Sequence, residues 1–129
     1  MAAGYVTSLR NAQLDAITAA VGSAGKLQIY DGTRPATGGA ATVKLAEFTL
    51  GSPFAAAAAA AALGPSLPAN TTGITNGTAI WFRITTSAGA FVIDGSAGTS
   101  GTDLILNSAT ISTGVTVSVT GFTINRGNA

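Results

Sequence analysis

The chain has 129 residues, enough for one domain with a modest core, and it contains neither cysteine nor histidine. That excludes a disulfide scaffold, a thiolate nucleophile, a cysteine-based zinc site and the commonest general base. Six basic residues against five acidic ones give no electrostatic footprint for nucleic acid or an anionic membrane, and a charged fraction of 9% beside 47% hydrophobic residues points to surfaces that other chains cover.

The first predicted element is a helix in TSLRNAQLDAITAAVGSAG. At 100° per residue Leu9, Ala16, Ile17, Ala20 and Val21 share a broad face with Leu14 at its edge, while Asn11, Asp15 and Thr18 fall opposite. Thr7 or Ser8 is placed to cap its start, and Gly22 or Gly25 to end it in the left-handed conformation. Arg10 and Asp15 interrupt the apolar stretch that a secretion signal needs, so none is expected here. Residues 1–25 read as an N-terminal helical arm and 26–129 as a β-sandwich domain, a single domain overall.

After Gly25 the pattern turns to period two. KLQIY puts Leu27 and Ile29 on one face and stops at Asp31-Gly32, a strong turn signal. TRPATGGAAT (33–42) reads as an irregular loop, and VKLAEFTL resumes as a strand with Ala46, Phe48 and Leu50 on one side. AIWFRIT sets Ile80, Phe82 and Ile84 against Trp81 and Arg83 on the other face, which the helix or a second sheet is expected to cover. A short hairpin at 87–89 leads into AFVIDGS, where Asp94-Gly95 is expected to end a strand, and short strands follow at 104–106 and 110–111. In GVTVSVTGFTIN the set Val115, Val117, Val119 and the set Phe122, Ile124 differ in parity, and a bulge near Thr120-Gly121 returns both to one core. Short strands at regular spacing with many Gly, Ser and Thr residues between them predict a mainly β fold, an antiparallel sandwich or jelly-roll-like architecture with one N-terminal α-helix.

Eight consecutive alanines, Ala55–Ala62, stand inside this β pattern. Local rules favour a helix: Ser52 as cap, Pro53 in the first turn, Gly64-Pro65 as the stop. Against that, about ten residues with little area to bury make a marginal helix, and an extended segment is the alternative. Either way the methyl side chains permit close packing and nothing else. The apolar run Phe54–Leu63 reaches about 15 Å as a helix, half a bilayer core, and does not span a membrane.

Motifs for chemistry are few. GSAGKL (22–27) fails the phosphate-loop pattern at Ala20 and Leu27. Asp31, Asp94, Asp103 and Glu47 are the only carboxylates placed to form an acid/base pair; Asp31 and Asp94 each precede glycine and are explained by turns. The oxygen-rich stretch DGSAGTSGTD (94–103) lacks the EF-hand pattern and reads as a solvated loop. A nucleophilic hydroxyl would need Lys26 or Lys44 as its base, and neither lies in a recognisable motif. Asn70-Thr71-Thr72 and Asn76-Gly77-Thr78 match glycosylation acceptors by chance. No enzyme, cofactor or metal site is expected.

The stretches LRNAQLDAITAAV, GKLQIYDGTRPAT, KLAEFTLGSPF, AIWFRITTSAGAFVIDGSAGTSGTDLILNS and VTVSVTGFTINRGN together resemble a family of small tailed-bacteriophage virion proteins. The resemblance covers most of the chain in order and is most specific from Ile80 to Leu106, while residues 55–78 depart from it most. Where they depart, the family pattern is a loop followed by a strand, which favours the extended form of the alanine run. The resemblance implies a capsid cement or decoration protein with the major capsid protein and copies of itself as partners, a homotrimer in preference to a dimer. It implies no nucleic acid or membrane partner, synthesis in the bacterial host cytoplasm, and a place on the virion's capsid surface. The competing expectation is a tail or fibre-associated module that binds host glycans through an exposed aromatic such as Trp81 or Tyr30. Candidate contact residues are Leu9, Leu14, Ile17 and Val21 on the helix, Arg34 in the loop, Ala58 and Ala60 in the alanine run, Trp81, and Arg126 in the tail.

Overall fold

A computed structural model describes residues 4–68 and 70–125. One helix, α1 (Thr7–Val21), precedes twelve strands: β1 (Lys26–Tyr30), β2 (Lys44–Thr49), β3 (Ala62–Leu63), β4 (Thr71–Thr72), β5 (Gly77–Thr78), β6 (Trp81–Thr85), β7 (Phe91–Gly98), β8 (Leu104–Leu106), β9 (Thr110–Ile111), β10 (Thr116–Val117), β11 (Val119–Phe122) and β12 (Ile124–Asn125). The fold is mainly β with a single helix. Six strands form a curled sheet in the order β11-β8-β7-β6-β1-β2, antiparallel except between β7 and β8, and three two-stranded ladders (β10-β4, β12-β3, β5-β9) surround it.

Period-two patterning sets which face is buried. Leu27 pairs with Phe48 and Ile84, and Ile29 with Ala46 and Phe82, so one face of the sheet is a continuous apolar surface. Phe54, Leu63, Ile111 and Val117 from the small ladders and their loops join the same core, as do Leu14 and Val21 of α1. The helix thus packs on the same core as the sheet, and Gly25 O accepts a hydrogen bond from Leu50 N.

The buried stripe on α1 is Leu14, Ile17 and Val21, spaced i, i+3, i+7, and it is rotated away from the face expected. Leu9 is 43% exposed and Ala16 and Ala20 are exposed, because the three largest apolar side chains that fit one stripe gain more from burial than a wider face diluted with alanine. Gly22 ends the helix at φ +71 as expected, and its N–H bonds Thr18 O. Its start lacks the expected side-chain cap: Val6 is the N-cap residue, and Thr7 Oγ1 instead accepts from Arg10 Nη2 at 3.2 Å.

The alanine segment is not helical. Ala59 and Ala62 exchange both backbone hydrogen bonds (3.1 and 2.9 Å), and Ala60 and Ala61 between them have φ of +51 and +58, the signature of a two-residue primed hairpin turn. Asn11 Oδ1 accepts from Ala61 N (2.9 Å) and Asp15 Oδ1 from Ala58 N (2.7 Å), so the helix side expected to face outward holds the hairpin by its backbone. Only Ala55 and Ala61 of the eight are buried, so close packing asks for a small side chain at those two positions.

The bulge expected near Thr120-Gly121 is present, where the register shifts between Val119–Leu106 and Gly121–Ile105. Asp31-Gly32 ends β1, with Gly32 at φ +74. Asp94-Gly95 ends nothing: β7 runs through it, and Gly95 is needed because a Cβ there would lie 2.4 Å from the Phe82 ring.

Candidate functional site

The second face of the sheet carries most of the chain's chemistry. Trp81 and Arg83 of β6, Tyr30 and Gln28 of β1, Glu47 and Lys44 of β2 and Asp94 of β7 share it by register. Tyr30 stacks on Trp81 with ring centroids 4.4 Å apart at 15°. The Arg83 guanidinium lies between Trp81 and Phe91, with its carbon 5.1 and 5.3 Å from the two ring centroids. Arg83 Nε donates to Asp94 Oδ1 (2.7 Å) and Nη2 to Asp94 Oδ2 (2.9 Å), a bidentate pair whose side chains are 11% and 3% exposed.

The loop at 31–43 covers this layer, in place of the helix or second sheet expected there. Arg83 Nη2 also donates to Gly39 O (2.7 Å), Gly38 N donates to Asp94 Oδ2 (3.0 Å), and Trp81 Nε1 donates to Thr42 Oγ1 (3.0 Å) and Asp31 O (3.2 Å). Thr42 Oγ1 in turn donates to Asp31 O and closes the base of the loop. Beside it, Gln28 Nε2 (3.1 Å) and Lys44 Nζ (2.8 Å) both donate to Glu47 Oε2, and Tyr30 Oη donates to Gln28 Oε1 (2.8 Å).

Burial raises the Asp94 carboxyl, but hydrogen bonds from Arg83 and Gly38 N and the charges of Arg83 and Arg34 outweigh it and hold the group below its ordinary value. The hydrogen bond from Lys44 lowers Glu47, against a smaller opposing effect of burial. Burial raises Tyr30. These groups are committed to one another, and the arrangement clamps a loop to the sheet.

Asp94 and Asp103 both border a cavity of about 390 Å³ on the opposite face, between α1, β7 and the β11–β12 segment. They do not converge in it as an acid/base pair, because both oxygens of Asp94 are turned through the sheet to Arg83 and the loop. Asp103 closes the tight connection between β7 and β8, its Oδ2 accepting from Ser96 N and Oγ at 3.0 Å each. Among the described residues no three acidic side chains come together as a metal-binding group, and no helix is long and apolar enough to cross a membrane.

Of the expected contact residues, Leu14, Val21 and Trp81 are inside the molecule, Trp81 at 0% exposure, and they offer no surface to a partner. Ile17 is half-buried against the core, and half-buried Ala58 gives its backbone N–H to Asp15. Leu9, Arg34 and Ala60 are exposed; Arg126 lies outside the described residues. The aromatic platform expected of a glycan binder is absent at Trp81 and Tyr30, because the two rings stack on each other beneath the loop.

Sequence reasoning missed the exposed apolar residues at one end of the sheet. Val43, Ile74, Ile80 and Val115 are all exposed, and hydrogen bonds tie their segments together: Asp31 N to Val43 O, Ile80 N to Tyr30 O, Ile74 N to Leu45 O and Gly73 N to Val115 O. Val43 and Ile74 stand singly beside Thr or Gly, whereas alternation placed Ile80 with Phe82 and Ile84, and Val115 with Val117 and Val119, in buried sets; the structure corrects both, leaving Ile80 44% and Val115 57% exposed at the ends of those sets. Tyr5, Val6 and Leu9 form a second exposed group around the start of α1. No family model, curated protein or solved structure matches the chain.

Proposed function

We propose that this chain is a bacteriophage virion structural protein, a cement or decoration protein that binds the outer surface of an assembled shell as a symmetric homo-oligomer, a trimer in preference to a dimer. One observation carries the reading: the polar groups of the second sheet face are tied to one another and to the loop, while eight large apolar side chains lie exposed. Arg83, Asp94, Trp81, Tyr30 and Glu47 are bound to one another or to the covering loop, while Tyr5, Val6, Leu9, Val43, Ile74, Ile80, Phe91 and Val115 lie exposed. A protein that transforms a molecule keeps reactive groups accessible; one that fits against a lattice presents apolar and backbone surface. The sequence resemblance to small virion proteins points the same way.

Such a protein works by mass action. Binding the assembled shell but not its dissociated subunits stabilises the shell by an amount set by free concentration over Kd. A closed trimer needs two different patches that meet head to tail, and the group Val43, Ile74, Ile80 and Val115 against the group Tyr5, Val6 and Leu9 supplies such a pair. Contacts so poor in charge depend little on ionic strength. No observation favours the glycan-binding alternative, since Trp81 and Tyr30 are covered.

The test is sedimentation of the purified protein alone and with shells that lack it. A defined oligomer that co-sediments to saturation, with little loss between low and high salt, supports the reading. A monomer that stays in the supernatant at every concentration overturns it.

A further inference from the structure

The cavity between α1, β7 and the β11–β12 segment has a composition that selects a ligand. Ile17, Phe82, Ile93, Phe122 and Ile124 supply apolar walls, with Phe82 and Phe122 meeting edge to face at 5.2 Å between centroids. At its floor the Phe82 ring packs directly on Gly95: a Cβ there would stand 2.4 Å from the ring and 3.1 Å from Asp103 Oδ2. That second distance places the Asp103 carboxylate directly over the floor. Asp103 is bound only by Ser96, a neutral partner, and among the described residues the two ion pairs, Lys44–Glu47 and Arg83–Asp94, leave it without a cation. Asp94, the other carboxylate at the cavity, is already neutralised by Arg83.

A hollow of about 390 Å³ with apolar walls, and at its edge a carboxylate that has no cationic partner among the described residues, lies within the ordinary range of small-molecule sites. We infer that it binds a small organic monocation, an aromatic or branched apolar body carrying one primary ammonium, with the body between Phe82, Phe122 and Ile17 and the ammonium donating to Asp103. Neutral molecules of the same shape gain only the apolar contacts, and anions are repelled. The site is separate from the clamped polar face and from the exposed apolar end of the sheet, so it stands or falls independently of shell binding.

The experiment is an NMR titration of the whole chain, following the methyl signals of Ile17, Ile93 and Ile124, with three probes of one shape: 2-phenylethylamine, 2-phenylethanol and phenylacetate. The expected result is saturable shifts with the amine, about tenfold weaker binding of the alcohol, and none of the carboxylate. Asp103→Asn keeps an oxygen for Ser96 and should bring the amine down to the alcohol's affinity while leaving the alcohol unchanged. Thr123→Trp, a change at an exposed lining position, should block both by filling the mouth. Equal binding of all three probes, no saturable shift with the amine, or an amine preference that survives Asp103→Asn would overturn the inference.

Discussion

The two faces of the six-stranded sheet are closed by different physics. One is covered by apolar packing: Leu27, Ile29, Phe48, Phe82 and Ile84 lie beneath Leu14 and Val21 of the helix and Phe54. The other is covered by an irregular loop held through directional bonds to Trp81, Arg83 and Asp94. The apolar face tolerates imprecise geometry and loses stability in proportion to volume removed. The clamped face fails when one partner leaves, because the other is then a buried charge without compensation.

The sharpest way to break this contrast starts on the apolar face. Phe82→Ala removes a fully buried ring shared by the core and the cavity wall, and should cost about 3–5 kcal/mol, read as a fall in the urea midpoint. On the clamped face, Asp94→Ala should cost roughly 3 kcal/mol, whereas the double change Arg83→Met with Asp94→Leu should cost clearly less than the single one, since no orphaned charge remains. A double variant as damaging as Asp94→Ala would show that the loop is held by packing and not by the ion pair.

Acid separates the faces without mutation. The Asp94 carboxyl is held below its unfolded value of 3.8, so the stability it contributes is fully present above that value and is lost as pH falls through the folded value. Glu47, also lowered, adds in the same direction. Tryptophan fluorescence should therefore report loosening around Trp81 below about pH 4, and Asp94→Asn should flatten that part of the profile. The smallest effect is at the alanine hairpin. Ala60→Gly relieves an exposed left-handed residue at φ +51 and should stabilise by about 1 kcal/mol, visible as a small rise in Tm.

The same contrast marks what the sequence made legible. Strands β1, β2, β6, β8 and β9 and the bulge at Thr120 follow from period-two patterning, because burial on one face writes itself directly into alternation. Gly22 and Gly32 were readable as stops for the same local reason. The clamp was not. Asp94-Gly95 has the grammar of a turn, and only the pairing of Arg83 with Asp94 across two strands, with Phe82 packed where a Gly95 side chain would be, explains why the strand continues. The alanine hairpin was equally hidden, since its backbone partners Asn11 and Asp15 lie more than 40 residues away. Ile80 and Val115 were read as core from alternation, yet each is the first residue of its set, before the paired strand begins, and both are exposed.

The most direct measurement is electron cryo-microscopy of undecorated shells incubated with the purified chain. The expected result is added density repeated at symmetry-related positions over the shell exterior, with Val43, Ile74, Ile80 and Val115 at a contact. Density confined to the tail, or bare shells beside a monomer in solution, would contradict it.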